Sequence, residues 1–174
     1  SEPVPGRETW IERVEAGPVP EGIQGIVLRG KEAGGHCAVE SGLELLAKQG
    51  GGAILDAGVA PEEVAAVLAS GGRGVVVSDQ LFALKELGLG PELSRRVQAA
   101  SSGDARRVDG VRVSASPLAP VIRRLAAGES FWDLAQGWFA SDDASSHAWP
   151  VGRGVELAAG LASRCGSLAS SSRP

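Results

Sequence analysis

The chain has no methionine and only two cysteines among its 174 residues. Lacking an initiator, the opening Ser1-Glu2 reads as the start of a processed chain or of a piece of something longer. Cys37 and Cys165 stand far apart, with no C-x-x-C and no Cys/His metal spacing, so neither a disulfide framework nor a metal site is indicated. A reducing, cytoplasmic setting is the default expectation for such a composition. Long apolar runs are missing as well. A membrane-spanning helix needs roughly 20 apolar residues in a row, and Gly, Arg, Glu, Asp or Ser interrupts every stretch well before that; nothing resembles a secretory signal. No basic block exceeds the pairs Arg95-Arg96, Arg106-Arg107 and Arg123-Arg124, and 21 acidic residues outnumber 17 basic ones, so a nucleic-acid partner gets no electrostatic support. The glycine fingerprint of dinucleotide sites, the Walker phosphate loop and the serine nucleophile elbow are all absent.

What the chain does have is punctuation by 25 glycines and 10 prolines between short apolar runs. Residues 1–22, with Pro3, Pro5, Pro18 and Pro20, read as an extended leader around a short amphipathic piece at Trp10–Val14. Three strand–loop–helix units follow over 23–100. Ile23–Leu28 leads through a loop at Arg29–Cys37 to a helix from Val39 to Lys48. Ala53–Leu55 leads through Asp56–Ala60 to a helix at Pro61–Ala69, where proline in the first turn and Glu62-Glu63 suit a helix N-terminus. Gly74–Val77 leads through Ser78–Leu81 to helical stretches reaching Gln98. Strands that are nearly all apolar are buried on both faces, which predicts a parallel sheet with helical crossovers and an α/β fold. Residues 101–166 read as a mainly helical C-terminal region, with helical spacing at 118–127, 131–139 and 155–163. A weak alternation at Val108–Ser114 is compatible with an edge strand. The cluster Trp132, Trp138 and Phe139, with Trp149, reads as a packing plug, and 167–174 as a flexible linker.

Ligands of parallel α/β sheets sit at the carboxyl ends of the strands. The loops there are Gly30–His36, Asp56–Val59 and Ser78–Gln80. Glycines let backbone approach a ligand, turns feeding a helix N-terminus can bind phosphate, and His36 can present an imidazole as base or donor. Spacing alone leaves an ordinary alternative open, in which the glycines are turn residues and His36 is a surface polar group.

The segment Gly25–His36, ending Glu32-Ala33-Gly34-Gly35-His36, resembles the G-x-E-A-G-G-H segment of nitronate monooxygenases, the 2-nitropropane-dioxygenase-like flavoproteins. Ala57-Gly58-Val59 with Pro61–Ser70, and Gly71–Val77, resemble that family's following segments in order and spacing over residues 23–100. Asp79-Gln80-Leu81 and the late Trp149-Pro150-Val151-Gly152 are similar to the variant found in bacterial polyketide and polyunsaturated fatty acid synthases. The resemblance implies part of a (β/α)8 barrel, about three βα units, that binds FMN at the strand ends. It implies His36 as the base that takes a proton from the carbon beside a nitro group. Gly34, Gly35, Gly58, Gly74 and Ser78 would be the groups against FMN. It also implies partners: the remainder of a larger synthase, or another subunit, covering the exposed sheet edges.

The family's FMN binders have Gly-Thr where this chain has Ser78-Asp79, and unit charges about 4 Å apart repel by roughly 4 kcal/mol at an effective dielectric of 20. A full barrel also takes about 250 residues. Two functions therefore follow. One is an FMN-dependent oxidoreductase region with nitronate-monooxygenase or enoyl-reductase chemistry and impaired catalysis. The other is a non-catalytic barrel remnant with a structural or docking role in a synthase.

Overall fold

The computed structural model describes residues 7–88, 90–100, 105–108, 110–114, 123–124, 127–130, 133–134 and 150–165. Its frame is a four-stranded, all-parallel sheet in the order β1-β2-β4-β5, built from Trp10–Arg13 (β1), Gly25–Arg29 (β2), Ile54–Asp56 (β4) and Gly74–Val75 (β5). The register runs Leu28↔Leu55↔Val75 across the middle, so large apolar side chains from three strands share one row. The three strands expected from the apolar runs are thus adjacent and parallel.

The fourth strand is a correction to the expected leader. Trp10–Arg13 pairs in parallel with Gly25–Leu28 and forms one edge of the sheet. Edge strands need only one buried face, and Trp-Ile-Glu-Arg mixes apolar with charged residues accordingly. The Trp10 ring lies over Gly25, where an added Cβ would come within 2.2 Å of it, and the Arg73 guanidinium stacks 5.0 Å from the ring centroid.

Helix α1, Gly42–Gln49, begins three residues later than the apolar spacing predicts because Ser41 caps it. The Ser41 hydroxyl accepts from the Glu44 amide at 3.3 Å, and Glu44 accepts from the Ser41 amide at 2.7 Å. This reciprocal box satisfies donors that a longer helix would have had to bury. Gly50, at φ 77°, ends the helix in the left-handed region. The second crossover opens as a 3-10 turn at Pro61–Glu63 and continues as α2, Val64–Ala69. The third replaces a single helix by 3-10 turns at Asp79–Ala83 and Lys85–Leu87 before α3, Pro91–Ala99. Ile26, Leu28, Leu45, Leu46, Leu55 and Val67 make the core between sheet and helices.

The region after 100 is not purely helical. Ala105–Val108 (β6) and Val111–Ser114 (β7) form an antiparallel hairpin, and β7 pairs with Gly35–His36 (β3), a two-residue strand inside the first loop. The last described element is α4, Gly154–Cys165, which packs on the Asp79–Ala83 turn. The helices expected at 118–127 and 131–139, the tryptophan cluster, Trp149 and the 167–174 linker lie outside the described residues, apart from isolated positions such as the buried Leu134. No described helix is long and apolar enough to cross a membrane.

Leu46 is 0% exposed and Val39 is 74% exposed. Leu46→Ala should therefore cost about 2–5 kcal/mol in urea denaturation, while Val39→Ala stays within about 0.5 kcal/mol. Equal effects at the two positions would contradict the packing of α1 on the sheet.

Candidate functional site

The carboxyl ends of the strands are organised around Arg29, the last residue of β2, which sequence reading passed over. Its Nε donates to the His36 carbonyl at 2.9 Å, and a terminal nitrogen donates to the Gly34 carbonyl. The same guanidinium pairs with Glu12 at 2.9 Å and Asp56 at 3.5 Å. One cation thus ties the Glu32–His36 loop to carboxylates on both neighbouring strands. The available signal was positional: an arginine closing an otherwise apolar strand needs acidic partners when half-buried.

His36 is exposed at this end of the sheet. Its ring makes no hydrogen bond among the described residues, and it stands beside Gly110 in the hairpin turn, where a Cβ would lie 3.7 Å from its Cδ2. It lines two adjoining cavities. One of about 330 Å³ lies against Glu12–Ala16 and Arg29; one of about 340 Å³ lies between α1, the hairpin and the Val14–Ala16 loop. The residue expected to carry acid–base chemistry is therefore accessible from solvent.

Of the other expected residues, Gly34 and Gly35 share its loop, while Gly58, Gly74 and Ser78 lie on other segments. Gly34 and Gly58 do allow a close backbone approach, but the approaching group is the chain itself. A Cβ on Gly34 would meet the Pro150 carbonyl at 2.5 Å and Gly152 N at 2.7 Å; one on Gly58 would meet Gly154 N at 2.5 Å. Gly74 begins β5 and so sits at the amino end of the sheet, away from the strand-end loops, with nothing within 4 Å of its Cβ position. Gly35, at φ 73°, forms part of β3. Ser78 is exposed in the loop after β5, and its amide is engaged by Gln80 Oε1 at 3.0 Å.

Segment 150–154 is a strap across the strand ends. The Arg153 amide donates to the Glu32 carbonyl at 2.8 Å, and its side chain grips both oxygens of Glu63 at 2.8 and 3.0 Å. These hydrogen bonds hold the Glu63 carboxyl below its usual range. Asp79, the residue placed against a phosphate by analogy, turns inward: it is buried, and its Oδ2 accepts from the Gly152 amide at 2.5 Å. Burial raises its pKa against the pull of that amide.

A flavin cradle does not fit these residues alone. Two of the four glycines are covered by the strap, a third lies at the far end of the sheet, and the amide of Ser78 is already bonded. Among the described residues there is also no group of three or more metal-ligating side chains.

The topology and strand-end loops can be set beside known structures. The fold is similar to about half of FabK. FabK from Thermotoga maritima superposes with a TM-score of 0.63 at 21% identity, covering 78% of this chain and 49% of that one. A methionine-to-alanine mutant of the same protein gives 0.60 at 22% identity, with 78% and 47% covered. This chain therefore spans about half the length of those proteins, and the likeness establishes a partial-barrel α/β fold. No family model and no curated protein matches the chain.

Asp56, 5% exposed, has its carboxyl pushed up to about 6, first by burial, with Asp79 and Glu12 adding and Arg29 opposing. A carboxyl whose pKa rises from about 4 to about 6 on folding costs the fold on the order of 3 kcal/mol once ionised. Its stabilising contribution is full below about pH 4 and is lost as pH rises through about 6. The melting temperature of Asp56→Asn should lack this part of the fall between those values, measured by calorimetry across the interval. Gly34→Ala, which drives a methyl into the strap, should destabilise by about 1–3 kcal/mol. Gly160→Ala, with open space around it, should be neutral or stabilising; a similar loss at both positions would remove the strap contact as the cause.

Proposed function

We propose that the chain supplies the acid–base wall of an oxidoreductase barrel of nitronate-monooxygenase or enoyl-reductase type, with His36 as the group that takes and returns a proton at carbon. The observation that carries this reading is the accessible His36 ring, without a hydrogen-bond partner among the described residues, at the carboxyl end of a FabK-like parallel sheet and opening on two cavities. The Arg29 guanidinium, bound to the His36 carbonyl, holds the histidine's backbone at the strand end. Arg29 acts as a positioning residue, and His36 handles the proton.

FMN belongs in this proposal to the completed barrel. Among the described residues the parallel sheet has four strands where a (β/α)8 barrel has eight, and β1 and β5 leave both of its edges without a neighbouring strand. The remaining strands would come from further polypeptide of a polyketide or fatty acid synthase, or from a partner subunit in the cytoplasm. The synthase context rests on the sequence likeness at Asp79-Gln80-Leu81 and Trp149–Gly152.

A second reading has its own support. The strap over Gly34 and Gly58, together with the inward-turned Asp79, favours a non-catalytic remnant that serves a structural or docking role. Proton exchange separates the two without any cofactor. Nitroethane in D2O, followed by NMR, should lose its α-protons faster with the protein than in buffer, and His36→Ala should slow the protein-dependent rate about 10²-fold, within the general acid–base range. Exchange no faster than buffer, or a rate indifferent to His36→Ala, would leave the structural reading.

A further inference from the structure

The larger of the two cavities carries a cation that nothing in the acid–base reading uses. Arg107, on β6, lines it together with His36, Cys37, Glu40 and Lys48. Its only hydrogen bond among the described residues is a long one, 3.4 Å from a terminal nitrogen to the Cys37 carbonyl, and it has no ion pair there. Lys48, by contrast, is neutralised by Glu40 at 2.7 Å. Directly across the hairpin, Arg107 is in register with Arg112, whose own guanidinium donates to the Lys31 carbonyl at 3.1 Å. The turn between the strands is Gly110. A Cβ there would lie 3.8 Å from the Arg107 terminal nitrogen and 3.9 Å from His36 Nε2, so both groups border one small space.

We infer that this cavity binds a small carboxylate, with Arg107 as its anchor beside His36. A guanidinium presents parallel N–H donors that match the two oxygens of a planar carboxylate. A dianion is disfavoured because Glu15 also lines the space and repels a second negative charge. A carboxylate held on Arg107 places the rest of its molecule against the His36 ring, since the two groups flank the same glycine. Arg107 is thus a binding and positioning residue for an acidic substrate. The inference builds on the acid–base reading of His36, yet binding is measurable without turnover.

The test titrates the whole chain with sodium acetate at constant ionic strength, using sodium chloride and inorganic phosphate as the other arms, and follows the Arg107 Nε–H and His36 ring signals by NMR. Acetate should shift both signals saturably, and chloride should not. Arg107→Gln should weaken the His36 response about tenfold or more, in keeping with loss of a charge-assisted pair. Arg106→Gln, whose side chain points to the other face of β6, should leave it intact. Identical shifts with chloride, tighter binding of phosphate than acetate, or an unchanged His36 response in Arg107→Gln would each overturn the assignment. Should Arg107→Gln fail to fold, the wild-type comparison of acetate, phosphate and chloride still decides it. If acetate binds as described while nitroethane exchange stays at the buffer rate, the acid–base function falls and the carboxylate site stands.

Discussion

The guanidinium of Arg29 is the point on which the strand ends depend. It is four-fifths buried, and removing a charge from water is tolerable only when its donors are matched. The match comes from three directions: two carbonyls of the loop that carries His36, Asp56 on one neighbouring strand and Glu12 on the other. Each partner is thereby constrained by the same ion. The loop cannot swing away from β2 without leaving a buried donor unpaired, and Arg29 opposes the burial that raises the Asp56 carboxyl.

A second constraint reaches the same place from far along the chain. Gly152 and Gly154 come so near to the first and third strand-end loops that their own Cβ positions would strike Glu32 and Gln80. Glycine facing glycine is what allows backbone to pack on backbone here, with Gly34 and Gly58 on one side and Gly152 and Gly154 on the other. Asp79 and Glu63 then fasten the strap through a backbone amide and an arginine. Gly34 and Gly58, two of the glycines that look like ligand contacts in the linear sequence, are therefore used in this chain for internal closure.

Much of the parallel sheet was legible because its signal is local. Ile26-Val27-Leu28 and Ala53-Ile54-Leu55 are apolar on both faces, and only a covered parallel strand wants that pattern. The placement of His36 at a strand end was legible for the same reason, since it follows one of those runs through a glycine turn. β1 was not, because an edge strand of four residues with a glutamate and an arginine looks like any amphipathic scrap until a neighbour supplies its hydrogen bonds. The β6–β7 hairpin was only half visible, and its pairing with Gly35-His36 bridges some seventy-five residues that no periodicity can connect.

The sequence by itself determined the alternation of apolar strands with capped helices, the parallel α/β class and a histidine in a glycine-rich loop, because hydrophobic period, caps and turn chemistry act between near neighbours. Tertiary structure alone decided which groups meet at the strand ends: that Arg29 would bind the His36 carbonyl, that Asp79 would turn inward to Gly152, that the strap would cover Gly34 and Gly58, and that Arg107 would stand beside His36. Those outcomes depend on burial and on the competition among distant donors and acceptors for one another. Neither quantity exists until the chain has closed on itself.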